Sequence, residues 1–227
     1  MTKLRQYIIE KQKNTRKNYI DFYAGQIPVY IKDTLPLSVN IERVLAKVEK
    51  TIPRDLIWDL DMIVVGHIPE FEERRINALY KDDAIYVTNA QSSNDDMVDD
   101  IIHEMAHCFE ERHMEEIYSD IQIENEFLQK RKKLFAILND GGYDIPARYF
   151  LDPEYDEDFD MFLYTVVGYP NLLRMTYDIF TRPYAITSLR EYFAKGFEEF
   201  FIGNQKNLKD ISPVLYNTIL KVTNYEN

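Results

Sequence analysis

The segment that most constrains this chain is His103-Glu104-Met105-Ala106-His107, which has the pattern H-E-x-x-H. Residues four apart on an α-helix are separated by about 40° in rotation and about 6 Å along the axis, so both imidazoles can face one metal ion. Zn²⁺ binds neutral imidazole nitrogens, and a glutamate between them can take a proton from a water that the metal activates. The pattern therefore predicts a helix with His103 and His107 as zinc ligands and Glu104 as general base.

The residues before the motif favour the start of a helix. Ser93 is a good N-cap, Asp96 follows three residues later, and acidic side chains in a first turn complement the helix dipole. Asp99 and Asp100, one turn before His103, have two interpretations: one of them orients an imidazole, or both complement the dipole. The alternative to a zinc helix is an amphipathic helix with two surface histidines. The expected buried face consists of Ile101, Ile102, Met105 and Ala106.

His113 has the spacing of a third ligand in the longer pattern H-E-x-x-H-x-x-G-x-x-H, ten residues after His103. That pattern needs a glycine where this chain has Glu110, so we expect the helix to continue and His113 to lie near its end. A site that uses His113 stays open as an alternative. We expect His67 to be an ordinary loop residue and Cys108 to be a packed one.

A catalytic zinc site has three protein ligands, so without His113 an acid must come from elsewhere in the chain. The best candidate is Glu191 in "TRPYAITSLREYFAKGFEEFF". Ser188 and Glu191 also form a capping box, and the pattern alone favours ligand and cap equally. Glu198 and Glu199 are weaker ligand candidates, because they lie deeper in the predicted helix and match a solvated face.

"HEMAH" together with "PYAITSLREYFAKGF" resembles the catalytic domain of the anthrax lethal factor family, which includes the clostridial Pro-Pro endopeptidases. In that family a helix beginning E-[FY]-F-A-x-x-F provides the third zinc ligand, and a tyrosine seven residues earlier points into the site. The resemblance implies that Glu191 is this ligand and that Tyr184 donates its hydroxyl to the oxyanion. It covers roughly residues 76–201, with two closely matching blocks. Lys195 stands where the family often has an acid.

The remaining patterns predict an α+β chain with a zincin-like metallopeptidase fold: a small twisted mixed sheet with an active-site helix, followed by a mainly helical C-terminal lobe. We expect residues 1–24 to form an N-terminal helical extension, with its helix over Lys3–Asn18. Residues 25–227 would be the metallopeptidase domain, with an acidic loop or insert at 151–161 that either caps the cleft or docks a partner.

Three segments are predicted to contribute strands. Ile27–Lys32 and Asp59–Gly66 are apolar runs, and "RINALY" and "AIYVTN" flank the polar turn "KDD" as a hairpin. In zincin-like folds an extended peptide adds to an edge strand above the site by backbone hydrogen bonds. We expect Ala84–Asn89 to be that edge strand and a peptide or protein to be the substrate.

Composition narrows the partners. The net charge of −12 argues against nucleic acid, because little positive charge is present to neutralise phosphates. The sequence contains no run of about 18 apolar residues, so we expect no membrane span. The first residues lack the apolar stretch of a signal peptide. We expect a cytoplasmic protein or one released without a signal peptide. Carriage in a particle and association with a larger assembly stay open.

These observations predict a zinc-dependent endopeptidase that hydrolyses peptide bonds with a metal-activated water and Glu104 as general base. The alternative, from a different class, is a non-catalytic interaction or structural protein that retains a zincin-like zinc site. The charge of −12, Lys195 and the acidic insert are compatible with that second class.

Overall fold

The computed structural model of the chain describes residues 20–56, 60–74 and 76–223, and these form an α+β fold. The N-terminal helix expected over Lys3–Asn18 lies outside the described residues, but the boundary of the helical extension at residue 24 is wrong, because Ile20–Ala24 forms a strand that pairs with Ile27–Ile31. The chain divides into two compact units, Met1–Met105 and Ala106–Asn227, and the division falls inside one continuous helix. The strands are β1 (Ile20–Ala24), β2 (Ile27–Ile31), β3 (Met62–Gly66), β4 (Ala78–Lys81) and β5 (Ala84–Thr88). The helices are α1 (Ile41–Thr51), α2 (Pro69–Arg74), α3 (Asn94–Arg112), α4 (Met114–Tyr118), α5 (Gln122–Asp140), α6 (Glu157–Met161), α7 (Tyr169–Met175), α8 (Leu189–Phe201), α9 (Gln205–Ile211) and α10 (Pro213–Val222).

The first unit contains a five-stranded mixed sheet in the order β1-β2-β3-β5-β4. The three inner strands β2, β3 and β5 are parallel, and the two edge strands pair antiparallel with their neighbours. Three consecutive residues of β3, Ile63–Val65, are buried, as expected for a strand covered on both faces. The buried face of α1 consists of Ile41, Val44, Leu45 and Val48.

The predicted hairpin is present, but the prediction that Ala84–Asn89 forms an edge is wrong. Strand β5 pairs with β3 on one side and with β4 on the other, so the outer strand is Ala78–Lys81. The turn between them is made by Asp82 and Asp83, whose φ angles are 51° and 57°. A two-residue hairpin turn of type I′ has positive φ at both positions, and Asp tolerates this conformation better than most residues.

The helix boundaries differ in detail from the sequence pattern. The sequence pattern predicts a helix over Val39–Lys50 with Ser38 as a possible N-cap. Helix α1 instead begins after Asn40, whose side chain accepts from the Arg43 amide at 3.0 Å. The pattern over roughly Glu116–Leu138 predicts one helix, but Ile121, with φ of 53°, separates α4 from α5. Residues Phe162–Val167 form a short π-helix. No helix within the described part of the chain has the length and apolar character needed to cross a membrane.

The second unit is helical and has a core rich in aromatic residues. The sequence pattern predicts a buried stripe of Leu189, Phe193, Phe197 and Phe200 on α8. The three phenylalanines are buried, whereas Leu189 at the start of the helix is half-buried. Glu126 of α5 connects α8 to α10, because its carboxylate accepts from the Tyr192 hydroxyl at 2.8 Å and from the Val214 amide at 2.8 Å. These bonds fix α8, the helix that carries Glu191.

The acidic insert, residues 151–161, packs against α5 and α8 within the second unit. The buried guanidinium of Arg131 in α5 donates to the Asp152 carbonyl at 2.6 Å and lies over the Phe159 ring, 4.5 Å from its centroid. The Leu189 amide at the start of α8 donates to the Pro153 carbonyl at 2.8 Å. The insert is therefore held at the end of α8 from which Glu191 projects.

Candidate functional site

Helix α3 carries the H-E-x-x-H motif on buried turns. Its start is confirmed, because Ser93 Oγ accepts from the Asp96 amide at 3.2 Å. The side chains of His103 and His107 are only 9% and 6% exposed, which excludes two surface histidines. The helix continues without a break through the division between the two units, so the spacing of the two imidazoles is set by the helix itself.

Helix α8 brings Glu191 to His107. Ser188 Oγ accepts from the Glu191 amide at 3.1 Å, which is the serine half of the predicted capping box. The Oε1 atom of Glu191 lies 3.5 Å from His107 Nε2. The backbone amide of Glu191 is therefore capped by Ser188 while its carboxylate lies beside the imidazole of His107.

His103, His107 and Glu191 form a group with the composition of a metal site. Each offers one ligand atom, and the three atoms lie within 4.8 Å of one another. Ligand atoms around a tetrahedral zinc are about 3.3 Å apart, so the group would need to contract slightly around the ion. Two imidazole nitrogens and one carboxylate oxygen suit Zn²⁺ and leave a fourth position for water. The residues fit the metal that the sequence predicts.

Glu104 is held by the edge of the sheet. Its Oε2 accepts from the Tyr80 amide of β4 at 2.6 Å, and the glutamate is buried. The Thr88 amide donates to the Asn77 carbonyl, and residues along an antiparallel pair alternate between those that bond to the partner strand and those that face away. Because Tyr80 is three residues after Asn77, its amide points away from β5. One carboxylate oxygen of Glu104 is thereby fixed by backbone.

Tyr184 lies in a 3₁₀ turn, Pro183–Ile186, directly before α8. Its carbonyl accepts from Thr187 Oγ1 at 2.9 Å, and the preceding Arg182 pairs with the buried carboxylate of Glu199 at 3.0 Å. Burial raises the pKa of the Tyr184 phenol, and the nearby negative charge of Glu191 raises it further. The phenol is therefore protonated at neutral pH and close to the Glu191 carboxylate.

Two further tyrosines meet at Asp160 of the acidic insert, a cluster that the sequence analysis missed. Asp160 accepts from the Tyr155 hydroxyl at 3.0 Å and from the Tyr169 hydroxyl at 3.2 Å. Burial, followed by the charge of Asp160, raises the pKa of Tyr155 to about 12. Asp160 is also a cause of the raised pKa of Tyr184, after burial and Glu191. No spacing rule connects these residues.

The second nitrogen of His107 has polar neighbours that were also missed. Nδ1 lies 3.5 Å from Glu110 Oε2 and 3.2 Å from Arg190 Nε. The Tyr118 hydroxyl donates to Glu110 Oε1 at 2.5 Å. The spacing of three residues between His107 and Glu110 could have indicated this contact, but Glu110 was considered only as the position where a glycine is missing.

The structure does not bring His113 to the candidate site. Its ring stacks on Phe109 with centroids 4.2 Å apart, and its Nδ1 lies 3.6 Å from Glu116. Among the described residues, the metal-capable group contains neither His113 nor His67. Exposed His67 lies between β3 and α2, and its amide donates to Asp33 at 2.8 Å.

The remaining acidic candidates have other partners. Glu198 pairs with Lys195 at 2.6 Å, and Glu199 accepts from Arg182 and from the Asn204 amide. Asp100 accepts from the buried amide of Gln91 at 2.8 Å. Cys108 is buried as expected.

No protein-family model, no curated protein and no solved structure matches this chain significantly.

Proposed function

We propose that this chain is a zinc-dependent endopeptidase with a zincin-like fold. The observation that carries the proposal is the group of His103, His107 and Glu191, whose three ligand atoms lie within 4.8 Å of one another. A mixed sheet, a helix with the motif and then further helices follow in the order expected for such a fold. The motif helix also carries Glu104, which provides the acid–base group that the reaction needs.

Each residue has a role that its surroundings support. Zn²⁺ in this site would act as a Lewis acid and lower the pKa of a water molecule. Glu104 takes a proton from the attacking water and passes it to the leaving amine, while the Tyr80 amide orients its carboxylate. Tyr184, protonated at neutral pH, donates a hydrogen bond to the oxygen that becomes negative as the peptide bond is attacked.

The substrate in this proposal is an extended peptide, and its docking strand is β4. Among the residues that the structure describes, no strand pairs with the outer side of β4, so this strand can take an added strand in the first unit. The Tyr80 amide is engaged by Glu104, so pairing with a peptide would use the other outward-facing backbone groups of this strand.

Metal analysis and proteolysis test the proposal. Wild-type protein is expected to contain one zinc ion per chain, His107→Ala and Glu191→Ala none, and His113→Ala one. Glu104→Gln should retain zinc and lose the cleavage of an unfolded protein, and a chelator should abolish wild-type cleavage. Retention of zinc by Glu191→Ala together with its loss by His113→Ala would contradict the ligand set. Zinc binding without cleavage of any peptide in a library would indicate the non-catalytic alternative.

A further inference from the structure

His107 has two ring nitrogens with different neighbours. Nε2 is the nitrogen closest to the Glu191 carboxylate, at 3.5 Å. Nδ1 lies between a hydrogen-bond acceptor, Glu110 Oε2, and a donor, Arg190 Nε. A neutral imidazole carries its proton on one nitrogen only, so these neighbours favour opposite tautomers.

Only one tautomer can bind a metal through Nε2. In that tautomer Nδ1 carries the proton and needs an acceptor, which Glu110 provides. Arg190 Nε can only donate, so it favours the tautomer in which Nδ1 is the acceptor and the proton is on Nε2. The contacts of Glu110 and Arg190 with Nδ1 therefore determine the fraction of His107 that is in the tautomer able to bind a metal through Nε2.

Glu110 is itself held in place. Glu110 is 5% exposed, and the hydroxyl of Tyr118, a residue of the separate helix α4, donates to Glu110 Oε1 at 2.5 Å. Arg190 Nε lies 3.6 Å from Glu110 Oε2, so a positive group faces the buried carboxylate. A buried acid with these partners keeps one orientation, which a residue that positions a metal ligand requires.

We propose that Glu110 is a positioning residue that holds His107 in the tautomer able to bind zinc through Nε2, and that Tyr118 fixes Glu110 for this task. This inference rests on the proposed zinc site. It extends the site to a second layer on α3 and α4. Residues in this layer typically change metal affinity by about 10- to 100-fold when they are replaced.

Zinc affinity of the full chain, measured by competition with a chelating dye, tests the inference without any activity assay. Glu110→Gln is expected to weaken zinc binding about 10- to 100-fold. Tyr118→Phe, which keeps the ring and removes the donor to Glu110, should weaken it a few-fold. Glu199→Gln is the matched control, because it removes another buried, paired carboxylate of the same unit. Its zinc affinity should stay within about two-fold of wild type, whatever its thermal stability in chelator.

Zinc affinity of Glu110→Gln within two-fold of wild type would overturn the inference. If this variant does not fold, Glu110→Asp and Tyr118→Phe decide: unchanged affinity in both overturns it, and reduced affinity in both supports it. A failure of the proposed function is separate, because it appears as absent zinc binding by wild type or as unchanged binding by His107→Ala.

Discussion

Ser188→Ala and Glu191→Gln separate the two roles of the α8 start. Ser188 is 3% exposed, so its loss leaves the Glu191 amide without its side-chain acceptor in a place that water does not easily reach. An N-cap of this kind contributes about 1 to 2 kcal/mol, and burial favours the upper value. For a chain of this size the expected decrease in melting temperature is about 2 to 4 °C per kcal/mol, which is about 4 to 8 °C at the upper value.

Glu191→Gln keeps the cap and removes only the charge. In chelator its free energy of unfolding should change by about 1 kcal/mol or less, the contribution of an acid near a helix start. Zinc at 100 times its dissociation constant stabilises a protein by about 2.7 kcal/mol. We expect this gain in wild type and in Ser188→Ala, and none in Glu191→Gln.

Differential scanning fluorimetry with chelator and with zinc measures all six conditions. A zinc gain that survives in Glu191→Gln but disappears in Ser188→Ala would refute the reasoning, because Glu191 would then act only through its backbone.

Three further predictions follow from the second unit. Burial lowers the pKa of Lys130 from 10.5 to about 8. Between these pH values the unfolded chain still holds the proton that the folded chain has lost, so the free energy of unfolding should rise with pH, by at most about 3 kcal/mol. Urea titrations should show the rise reduced by that amount in Lys130→Met, and an equal rise in both proteins would contradict it. Gly196→Ala should destabilise the protein by about 1 to 2 kcal/mol, because the added Cβ would lie 2.3 Å from Leu215 Cδ2; a stabilised variant in urea unfolding would show that α8 and α10 can separate freely. Tyr184→Phe should lower kcat for peptide cleavage about 100-fold with unchanged zinc content, and an unchanged kcat would remove the hydroxyl from the mechanism.

Local signals predicted the helices that carry the candidate site. The cap at Ser93 and the acidic first turn defined the start of α3, and Ser188 with the apolar stripe defined α8. These signals work within one or two turns, where side-chain oxygens compete for free amides. The proximity of Glu191 to His107 needed more than local pattern, and the family resemblance was what favoured it.

The sheet shows what local patterns omit. A hairpin pattern indicates two paired strands, but not which of them joins the next strand, so β5 was mistaken for the edge. Strand β1 was not predicted. Its pairing with β2 depends on the turn at Gly25, whose φ is 65°, and the alternation in five residues is too short to decide.

Contacts between side chains that are distant along the chain could not be predicted from the sequence. The Tyr118–Glu110 bond depends on where the chain bends after α3, and the hydroxyls at Asp160 come from both sides of the short helix α6. Arg131 is a charged residue at a buried position, which hydrophobic periodicity assigns to the surface. Its burial is stabilised by carbonyls that lie about 20 residues further along the chain.

The hydrogen bond between the Tyr80 amide and Glu104 also bears on self-association. Exposed edge strands template aggregation through unpaired backbone groups, and natural proteins block them with charged side chains. Glu104 covers one such group of β4 from inside the protein. A shorter side chain at position 104 would leave the Tyr80 amide without this acceptor, and we expect such a variant to aggregate more readily. Glutamine at this position keeps a carbonyl oxygen at the same distance along the side chain, so Glu104→Gln should not aggregate more than wild type.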